Sequence, residues 1–522
     1  MKFKYLLFFW VTGMVLLDTA CFDDKGNYSY SPVNELEITV EENYAVLANA
    51  DTIKVFPRVV SSLEGEVLPS DPNYTYQYRA ARLLSETGGS EEALFVMDSS
   101  FSRDLIIPAK LKAGKYNCWL DVKDVRTEVV TTAAFTLEVS SVTREGWMVL
   151  CDEGEDNRVR LDMIARISDE RYVQTFDILY RDLPDLHQAY SLSFFQDAYN
   201  IDDFIYLLSG SGGYQLDAEY LTSGEEYDVN YEFAQQTEKR IPSQMAVTYG
   251  YRFIVDQNQN GYAMENSSGS IYELPVNTET PGSAPEFKLA PYIGIDRSAG
   301  GNRCPTALLY DADHKRFMQW NERVLNACYP IPDPEGALFS YTTGKDLVYM
   351  ESTNNDKTTY AILKDAEGKY YIYGISMTFS WTATIIKQVY YGEINATNIG
   401  QATAFAFHSS LPYLFYAIGG QLYQYDLYQK KPFPMFGYES ETITMLKFNP
   451  FVNNYWYSNR PDSFKNIPNN LIIGTEDEEV KNENKGVLRF YEVPPLNGMP
   501  TLIGEPYRGF GKIRDVVYRE RN

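Results

Sequence analysis

The chain has 522 residues, of which 44% are hydrophobic and 15% are aromatic, and it carries a formal net charge of -25 at pH 7. This acidic balance argues against nucleic acid as a partner, because the phosphate backbone is bound by clusters of Lys and Arg. The length is sufficient for two or three domains of about 100–200 residues each.

The first twenty residues have the pattern of an export signal. Lys2 and Lys4 form a short positive region, and residues 5–17 form an apolar run. This run is shorter than the roughly 20 apolar residues that a membrane-spanning helix needs. Residues 1–20 are therefore predicted to be a signal peptide that is cleaved after Ala20.

Cys21 directly follows the predicted cleavage site. This arrangement resembles a bacterial lipobox, in which the cysteine thiol is acylated and the cysteine becomes the new N-terminus. Asp18 departs from the pattern, because a lipobox normally carries Leu at that position. The alternative is an ordinary signal peptide followed by an incidental cysteine. We predict that Cys21 is lipidated and that residues 21–32 form a polar tether.

Residues 33–140 show the residue pattern of one small all-β module. Apolar and polar residues alternate over short stretches that are separated by turn residues; these are 36–40, 51–60, 74–78 and 134–139. Short strands at such even spacing are typical of an immunoglobulin-like sandwich. We expect this module to serve as a spacer, and we expect limited proteolysis to split the chain near residues 140–146.

The segment 111–124 is the most regular of these strands. Its alternation places Tyr116, Cys118, Leu120 and Val122 on one face of the sheet and Trp119 on the other. The segment is similar to a strand of PKD and related immunoglobulin-like folds, where the tyrosine seals a strand corner. We therefore expect the first four side chains to face the core of the sandwich.

Residues 145–522 contain a loosely repeated β-hairpin pattern. The segments 261–274, 414–427 and 471–493 each combine an apolar strand, a glycine-containing turn and an aromatic strand that ends in an acidic residue. Such hairpins form the middle of a β-propeller blade, which is about 40–50 residues long. The sequence thus predicts an all-β chain in which a β-propeller of seven or eight blades follows the sandwich. The alternative is a second pair of β-sandwiches.

Two strings in the chain resemble the PKD-like family lipoproteins of the Bacteroidota. The first runs from Cys21 to Tyr30 (CFDDKGNYSY), and the second runs from Glu145 to Glu153 (EGWMVLCDE). The resemblance implies an immunoglobulin-like or PKD-like module followed by a larger domain. It also implies a lipoprotein of the outer membrane, exposed at the cell surface, with an outer-membrane transporter of the starch-utilisation type as its partner.

Motifs for metal binding or catalysis are few. Asp256, Asn258 and Asn260 match the first half of a calcium loop, but Ser267 stands where the loop needs a bidentate Glu. The alternative is a hairpin turn between two strands. The three histidines lie in different segments without metal-ligand spacing, and no hydrolase motif accompanies them. We predict no catalytic residues and no cofactor, with a structural calcium in this loop as the one candidate.

Aromatic clusters in turn-rich parts of the predicted propeller are the candidates for ligand binding. Flat rings stack on the apolar faces of sugars, while neighbouring amide and carboxylate groups bind the hydroxyls. The candidate residues are Trp320, Trp381, Tyr455, Trp456 and Tyr457. The alternative for each tryptophan is packing between blades.

Two classes of function follow from these features. In the first, a non-catalytic lipoprotein of the outer membrane binds a nutrient, most simply a glycan, for the transporter. In the second, the propeller is an enzyme, such as a glycan lyase or hydrolase that uses carboxylates and tyrosine. Within the binding class, the cargo is alternatively a peptide or an iron chelate. The low histidine content favours binding over catalysis.

Lipidation can be tested at a single residue. We expect Cys21→Ala to leave the protein soluble or uncleaved, because an acylated N-terminus is its one predicted membrane attachment. Metabolic labelling with a palmitate analogue measures the lipid directly. Label that persists in the Cys21→Ala protein would contradict the assignment.

Overall fold

The computed structural model describes residues 33–520 except 85–90, 99, 180–182, 197–202, 218–220, 236–237, 249, 267–269, 297–304, 325, 354–356, 381–382, 397 and 450–463. Over these residues the chain consists of β-strands, turns and short 3-10 segments, so the prediction of an all-β fold is confirmed. The 3-10 segments are Glu225–Tyr227, Val229–Glu232, Ile399–Gln401 and Ile467–Asn469. In the part of the chain so described, no helix is long and apolar enough to cross a membrane.

The first ten strands form the sandwich. They are β1 (Leu36–Thr39), β2 (Asn43–Leu47), β3 (Thr52–Val55), β4 (Arg58–Ser61), β5 (Gly65–Glu66), β6 (Tyr74–Arg82), β7 (Phe95–Asp98), β8 (Leu105–Pro108), β9 (Gly114–Asp124) and β10 (Val130–Ser140). The larger sheet has the order β2-β10-β9-β6-β7, and the smaller sheets are β1-β4-β5 and β3-β8. Their inner faces share one hydrophobic core.

Strand β9 confirms the predicted alternation. Tyr116, Cys118, Leu120 and Val122 are all buried in the core of the sandwich. The Tyr116 hydroxyl donates to the Lys112 carbonyl oxygen at 2.8 Å, four residues upstream, and so fixes the entry into the strand. A buried tyrosine that bonds back to the preceding backbone is a recurrent feature of immunoglobulin-like sandwiches.

The remaining strands form the propeller. They are β11 (Gly146–Glu153), β12 (Arg158–Arg166), β13 (Tyr172–Thr175), β14 (Ala189–Gln196), β15 (Asp203–Ser209), β16 (Gly212–Leu216), β17 (Pro242–Val247), β18 (Tyr251–Asp256), β19 (Gly261–Glu265), β20 (Thr306–Asp311), β21 (Arg316–Asn321), β22 (Tyr329–Pro330), β23 (Asp346–Ser352), β24 (Thr358–Lys364), β25 (Tyr370–Ser380), β26 (Ala383–Glu393), β27 (Ala404–Phe407), β28 (Tyr413–Ile418), β29 (Gln421–Asp426), β30 (Lys431–Gly437), β31 (Glu441–Lys447), β32 (Asn470–Asp477), β33 (Gly486–Glu492), β34 (Thr501–Phe510) and β35 (Lys512–Arg519).

Within the described residues, these strands make seven antiparallel sheets of three or four strands. Sheet 1 contains β11, β12, β13 and β35, and sheets 2 to 7 follow in chain order, beginning at β14, β17, β20, β23, β27 and β31. The first strands of neighbouring sheets contact each other, as β14 does with β17 and β27 with β31. Such radial packing around an axis is the arrangement of a β-propeller, so the predicted fold is confirmed.

The ring is closed by pairing between the two ends of the propeller. Strand β35 runs antiparallel to β11, with Arg519 opposite Gly146 and Lys512 opposite Asp152. It is also the inner strand of sheet 1, because it contacts β31 on one side and β14 on the other. The last strand of the chain therefore completes the first sheet.

Strand direction defines two faces of the ring. Strand β11 starts at Gly146, beside the sandwich, and ends at Glu153. Eight residues of strand span about 26 Å at roughly 3.3 Å per residue. We call the side at Gly146 the junction face. The opposite side is the distal face, which carries the turn 154–157 of sheet 1 and the loop 478–485 of sheet 7.

The connection between sandwich and propeller is not an open linker. Arg144 and Glu145 are both only 5% exposed. Arg144 donates to the Val139 carbonyl oxygen at 3.2 Å, and the Tyr518 hydroxyl donates to Glu145 Oε1 at 2.9 Å. Burial raises the pKa of Glu145 to about 7, against the opposing effects of Arg166 and Tyr518. The connection is thus packed into the junction, and cleavage of the chain near residues 140–146 stays a prediction.

The two domains also share side-chain contacts. Leu47 of the sandwich belongs to the same hydrophobic cluster as Met148 of β11. Arg171, in the turn between β12 and β13, bonds to the Asp51 carboxylate, with one of its two contacts at 3.1 Å. Together with the buried connection, these contacts hold the sandwich against the junction face of sheet 1.

Candidate functional site

A polar cavity of about 710 Å³ lies where the last sheet meets the first. Its walls are the turn 154–157 of sheet 1 and the loop 478–485 of sheet 7, and Lys512 of the closing strand lines its base. Both wall segments join second to third strands, so the cavity opens on the distal face. We call it the seam cavity.

A buried ion-pair network positions one wall of the seam cavity. Arg160 donates to Asp162 Oδ2 at 2.7 Å and to Glu153 Oε1 at 2.6 Å. The same guanidinium donates to Asn484 Oδ1 at 2.6 Å, so sheet 1 holds the loop of sheet 7 directly. Although burial lowers the pKa of Arg160, the carboxylates of Asp162 and Glu153 raise it above its ordinary value. The loop is thus fixed by a permanent positive charge.

The charges at the base of the seam cavity are compensated within the protein. Lys512 Nζ lies 3.1 Å from Glu476 Oε2. Asp152 accepts from the Ala189 backbone N–H at 2.7 Å and from Arg514 Nε at 2.6 Å. Asp152 is therefore a structural carboxylate that ties sheet 1 to sheet 2.

The remaining lining mixes acidic, basic and amide side chains: Glu155, Asn157, Lys481, Asn482, Glu483 and Lys485. This set offers hydrogen-bond donors and acceptors side by side, which suits a ligand that carries many hydroxyl or amide groups. No aromatic side chain occurs among the lining residues. The cavity can therefore orient a hydrophilic ligand by hydrogen bonds, without ring stacking.

The predicted role of Trp320 in ligand binding is wrong. Its side chain is fully buried in the core between sheets 3 and 4. The rings of Tyr251 and Phe253 pack against it at centroid distances of 5.1 Å and 4.8 Å, both edge to face. Packing between blades, the alternative given by the sequence, is what the structure shows.

The other predicted aromatic residues lie outside the described residues. Trp381 falls in the excluded range 381–382, and Tyr455, Trp456 and Tyr457 fall in the excluded range 450–463. Cys21 likewise lies before the first described residue. The proposed roles of these residues stay predictions.

The calcium-loop motif forms a tight hairpin turn between β18 and β19. Asp256 Oδ1 accepts the backbone N–H of Asn260 at 2.9 Å, and Asn260 Oδ1 accepts from Asn277 Nδ2 at 3.1 Å. Gln259 adopts the left-handed backbone conformation that closes the turn. Asn258 also lies within this turn. Across the described residues, no group of three His, Cys, Asp or Glu side chains could hold a metal ion. The bonds of Asp256 and Asn260 within the turn are those of a hairpin between two strands.

Sequence reasoning did not identify the seam cavity. Its residues come from three segments, near 155, 480 and 512, which only the closure of the ring brings together. One signal was present, because the third hairpin repeat carries an inserted polar stretch at 478–485 between its two strands. A polar insertion in an otherwise regular repeat marks a loop that is free to line a site.

Comparison with protein families gives one match. Residues 21–183 match the model of the PKD-like family. The matched part includes the whole sandwich, the buried connection and strands β11 to β13. No curated protein sequence matches the chain.

Several solved structures resemble the fold. A quinoprotein alcohol dehydrogenase-like protein from Bacteroides thetaiotaomicron is 11% identical, with 91% of this chain and 96% of that chain covered and a TM-score of 0.40. A DUF4784 family protein from Bacteroides caccae is 9% identical, with coverages of 76% and 95% and a TM-score of 0.29. A periplasmic gluconolactonase from Pseudomonas aeruginosa is 10% identical, with coverages of 72% and 99% and a TM-score of 0.41.

The position of Trp320 predicts a stability effect. We expect Trp320→Ala to lower the free energy of unfolding of the propeller by about 3–5 kcal/mol, because it opens a cavity between two sheets. Urea denaturation measures the loss. Trp119→Ala is the matched control, since Trp119 lies on the outer face of the sandwich, and its loss should be clearly smaller. A Trp320→Ala protein as stable as the parent would contradict the buried position.

Proposed function

We propose that this protein is a lipid-anchored surface lipoprotein that binds a nutrient glycan in the seam cavity for an outer-membrane transporter of the starch-utilisation type. The observation that carries the proposal is the seam cavity, with its compensated charges and dense hydrogen-bonding groups. Its size lies within the range of roughly 300–1,000 Å³ that is usual for small-molecule sites. The lipid anchor and the transporter follow from the resemblance of residues 21–30 to the PKD-like lipoproteins.

Charge supports a neutral polar ligand. The net charge of -25 repels polyanions over long distances. Inside the cavity, the pairs Lys512–Glu476 and Arg514–Asp152 leave little net charge at the base. A neutral ligand rich in hydroxyl groups meets donors and acceptors there without the cost of burying its own charge.

The carboxylates at the bottom of the seam cavity favour a role in binding over a role in catalysis. A catalytic carboxylate needs an oxygen that is free to act on the substrate, as acid, base or nucleophile. Both oxygens of Asp152 are already bonded, one to Ala189 N and the other to Arg514. One oxygen of the Glu476 carboxylate, Oε2, is paired with Lys512. These acids therefore shape the cavity and complement the charges around them.

The position of the seam cavity relative to the tether supports a role in binding a ligand from solution. The sandwich joins the propeller at Gly146, and the seam cavity opens beyond Glu153, at the other end of the same strand. With the tether at the start of the sandwich, the cavity faces away from the attached end of the molecule. A ligand arriving from solution therefore meets the binding face first.

Lys512 provides a test of the ligand site. We expect Lys512→Ala to weaken glycan binding about ten-fold or more, because a hydrogen bond to a charged group contributes roughly 1.5–3 kcal/mol. Isothermal titration calorimetry of the full mature chain against a panel of neutral glycans measures the change.

The matched control is Lys369→Ala. Lys369 also pairs with a glutamate on the propeller, at 3.5 Å from Glu393, but it belongs to the turn between β24 and β25, away from the seam. Its removal should leave affinity unchanged. Equal losses in both variants would contradict a site at the seam, and turnover of any glycan would move the protein into the enzyme class.

A further inference from the structure

Two loop tips on the junction face hold large apolar side chains in solvent. Leu496 is 90% exposed and Tyr428 is 81% exposed, the two highest values for large hydrophobic residues in the described chain. Met499, beside Leu496, is 54% exposed. Tyr428 lies between β29 and β30 of sheet 6, and Leu496 and Met499 lie between β33 and β34 of sheet 7. Both loops join third to fourth strands, which places them on the junction face.

The two tips are held together by one carboxylate. Asp426 Oδ1 accepts the backbone N–H of Tyr428 at 2.9 Å, and Asp426 Oδ2 accepts Asn497 Nδ2 at 2.9 Å. Asn497 Oδ1 in turn accepts Gln424 Nε2 at 2.7 Å. These bonds join the backbone at Tyr428 to the side chain of Asn497 and so hold the two loops next to each other.

The loop between β33 and β34 also contains two residues in the left-handed backbone conformation. Leu496 and Asn497 both have φ near +60°, at +60° and +57°. This left-handed conformation is unfavourable for a non-glycine residue and persists only where the surroundings impose it. The loop at Leu496 therefore has a defined turn conformation.

Basic residues flank the apolar tips. Lys430 and Lys431 follow Tyr428 and are both exposed, in a protein whose overall charge is strongly negative. An interfacial tyrosine, apolar side chains and adjacent lysines are the combination that binds a phospholipid surface. The apolar groups enter the headgroup region, while the ammonium groups bind the phosphates. We name Tyr428, Lys430, Lys431, Leu496 and Met499 the loop-tip patch.

The tether allows the patch to reach a membrane. Twelve residues, 21–32, separate the predicted lipid from the first described residue, and this length of chain spans at most about 40 Å. The patch lies on the junction face, the side of the propeller from which the sandwich and its tether extend. The anchored protein can therefore tilt until the patch meets the bilayer.

We propose that the loop-tip patch docks on the lipid surface and serves as a second membrane contact beside the acylated N-terminus. This proposal rests on the proposed lipoprotein function. A single acyl chain binds a membrane only weakly, so a second contact strengthens the attachment and restricts the orientation.

Vesicle flotation tests the docking without the lipid anchor. The protein is the chain from residue 21 with Cys21→Ser, mixed with vesicles of phosphatidylcholine and phosphatidylglycerol at 3:1. Without the acyl chain we expect a weak, reversible bound fraction that leaves most of the protein in solution, and we expect the double variant Leu496→Asp/Met499→Asp to lower vesicle affinity at least ten-fold. Lys431→Glu should lower it by about five-fold, and less on pure phosphatidylcholine, because each surface lysine contributes attraction to anionic lipid.

Leu338→Asp is the matched control. Leu338 is 53% exposed and lies in the connection between sheets 4 and 5, so its change should leave flotation unaltered. Absence of flotation by the parent protein would overturn the proposal, as would equal binding by the double variant. Binding of the patch to a purified transporter in detergent, without binding to vesicles, would assign it to a protein partner instead. Because the assay lacks the acyl chain, its outcome is independent of the labelling test at Cys21.

Discussion

The antiparallel pairing of β35 with β11 is the constraint on which the rest of this structure depends. One strand from the end of the chain completes the sheet that begins the propeller. The two ends of that pairing define the two functional regions of the molecule. At one end, Tyr518 bonds to the buried Glu145 and fixes the sandwich connection. At the other end, Lys512 lines the base of the seam cavity.

Side chains on the inner strands reinforce the ring between sheets. Asp515 of β35 accepts the backbone N–H of Leu192 of β14 at 2.8 Å. Glu351 of β23 likewise accepts the backbone N–H of Phe407 of β27 at 2.8 Å. Each bond joins strands of neighbouring sheets, where no backbone ladder exists. These two carboxylates therefore act as connectors between sheets, so the presence of an acid on an inner strand does not by itself indicate catalysis.

Local pattern was enough to predict much of the fold. For β9 the prediction was that Tyr116 and Val122 share one face of the sheet. This follows from the strand alone, because side chains alternate between the two faces with a period of two residues. The repeated hairpins likewise identified the propeller, because a blade is built from neighbouring segments. Both features depend on contacts between residues that are close in sequence.

The candidate site and the junction depend on distant contacts, which local pattern does not reveal. The sequence around Trp320 is compatible with a side chain that faces either a ligand or the next sheet. The packing of Tyr251 and Phe253 against the ring shows that it faces the next sheet. Arg160 and Asn484 are 324 residues apart and meet because the ring closes. Ser140 and Ser141 look like a linker in sequence, but Arg144 and Glu145 are buried by the final strand.

The central claim is that the closure of the ring builds a binding site for a polar ligand at the seam. Hydrogen–deuterium exchange on the intact mature chain, with and without a saturating glycan ligand, tests this most directly. The account predicts that the ligand slows exchange in residues 154–157 and 478–485 and at the start of β35, with no change in the sandwich. Slower exchange confined to the sandwich, or to sheets away from the seam, would contradict it.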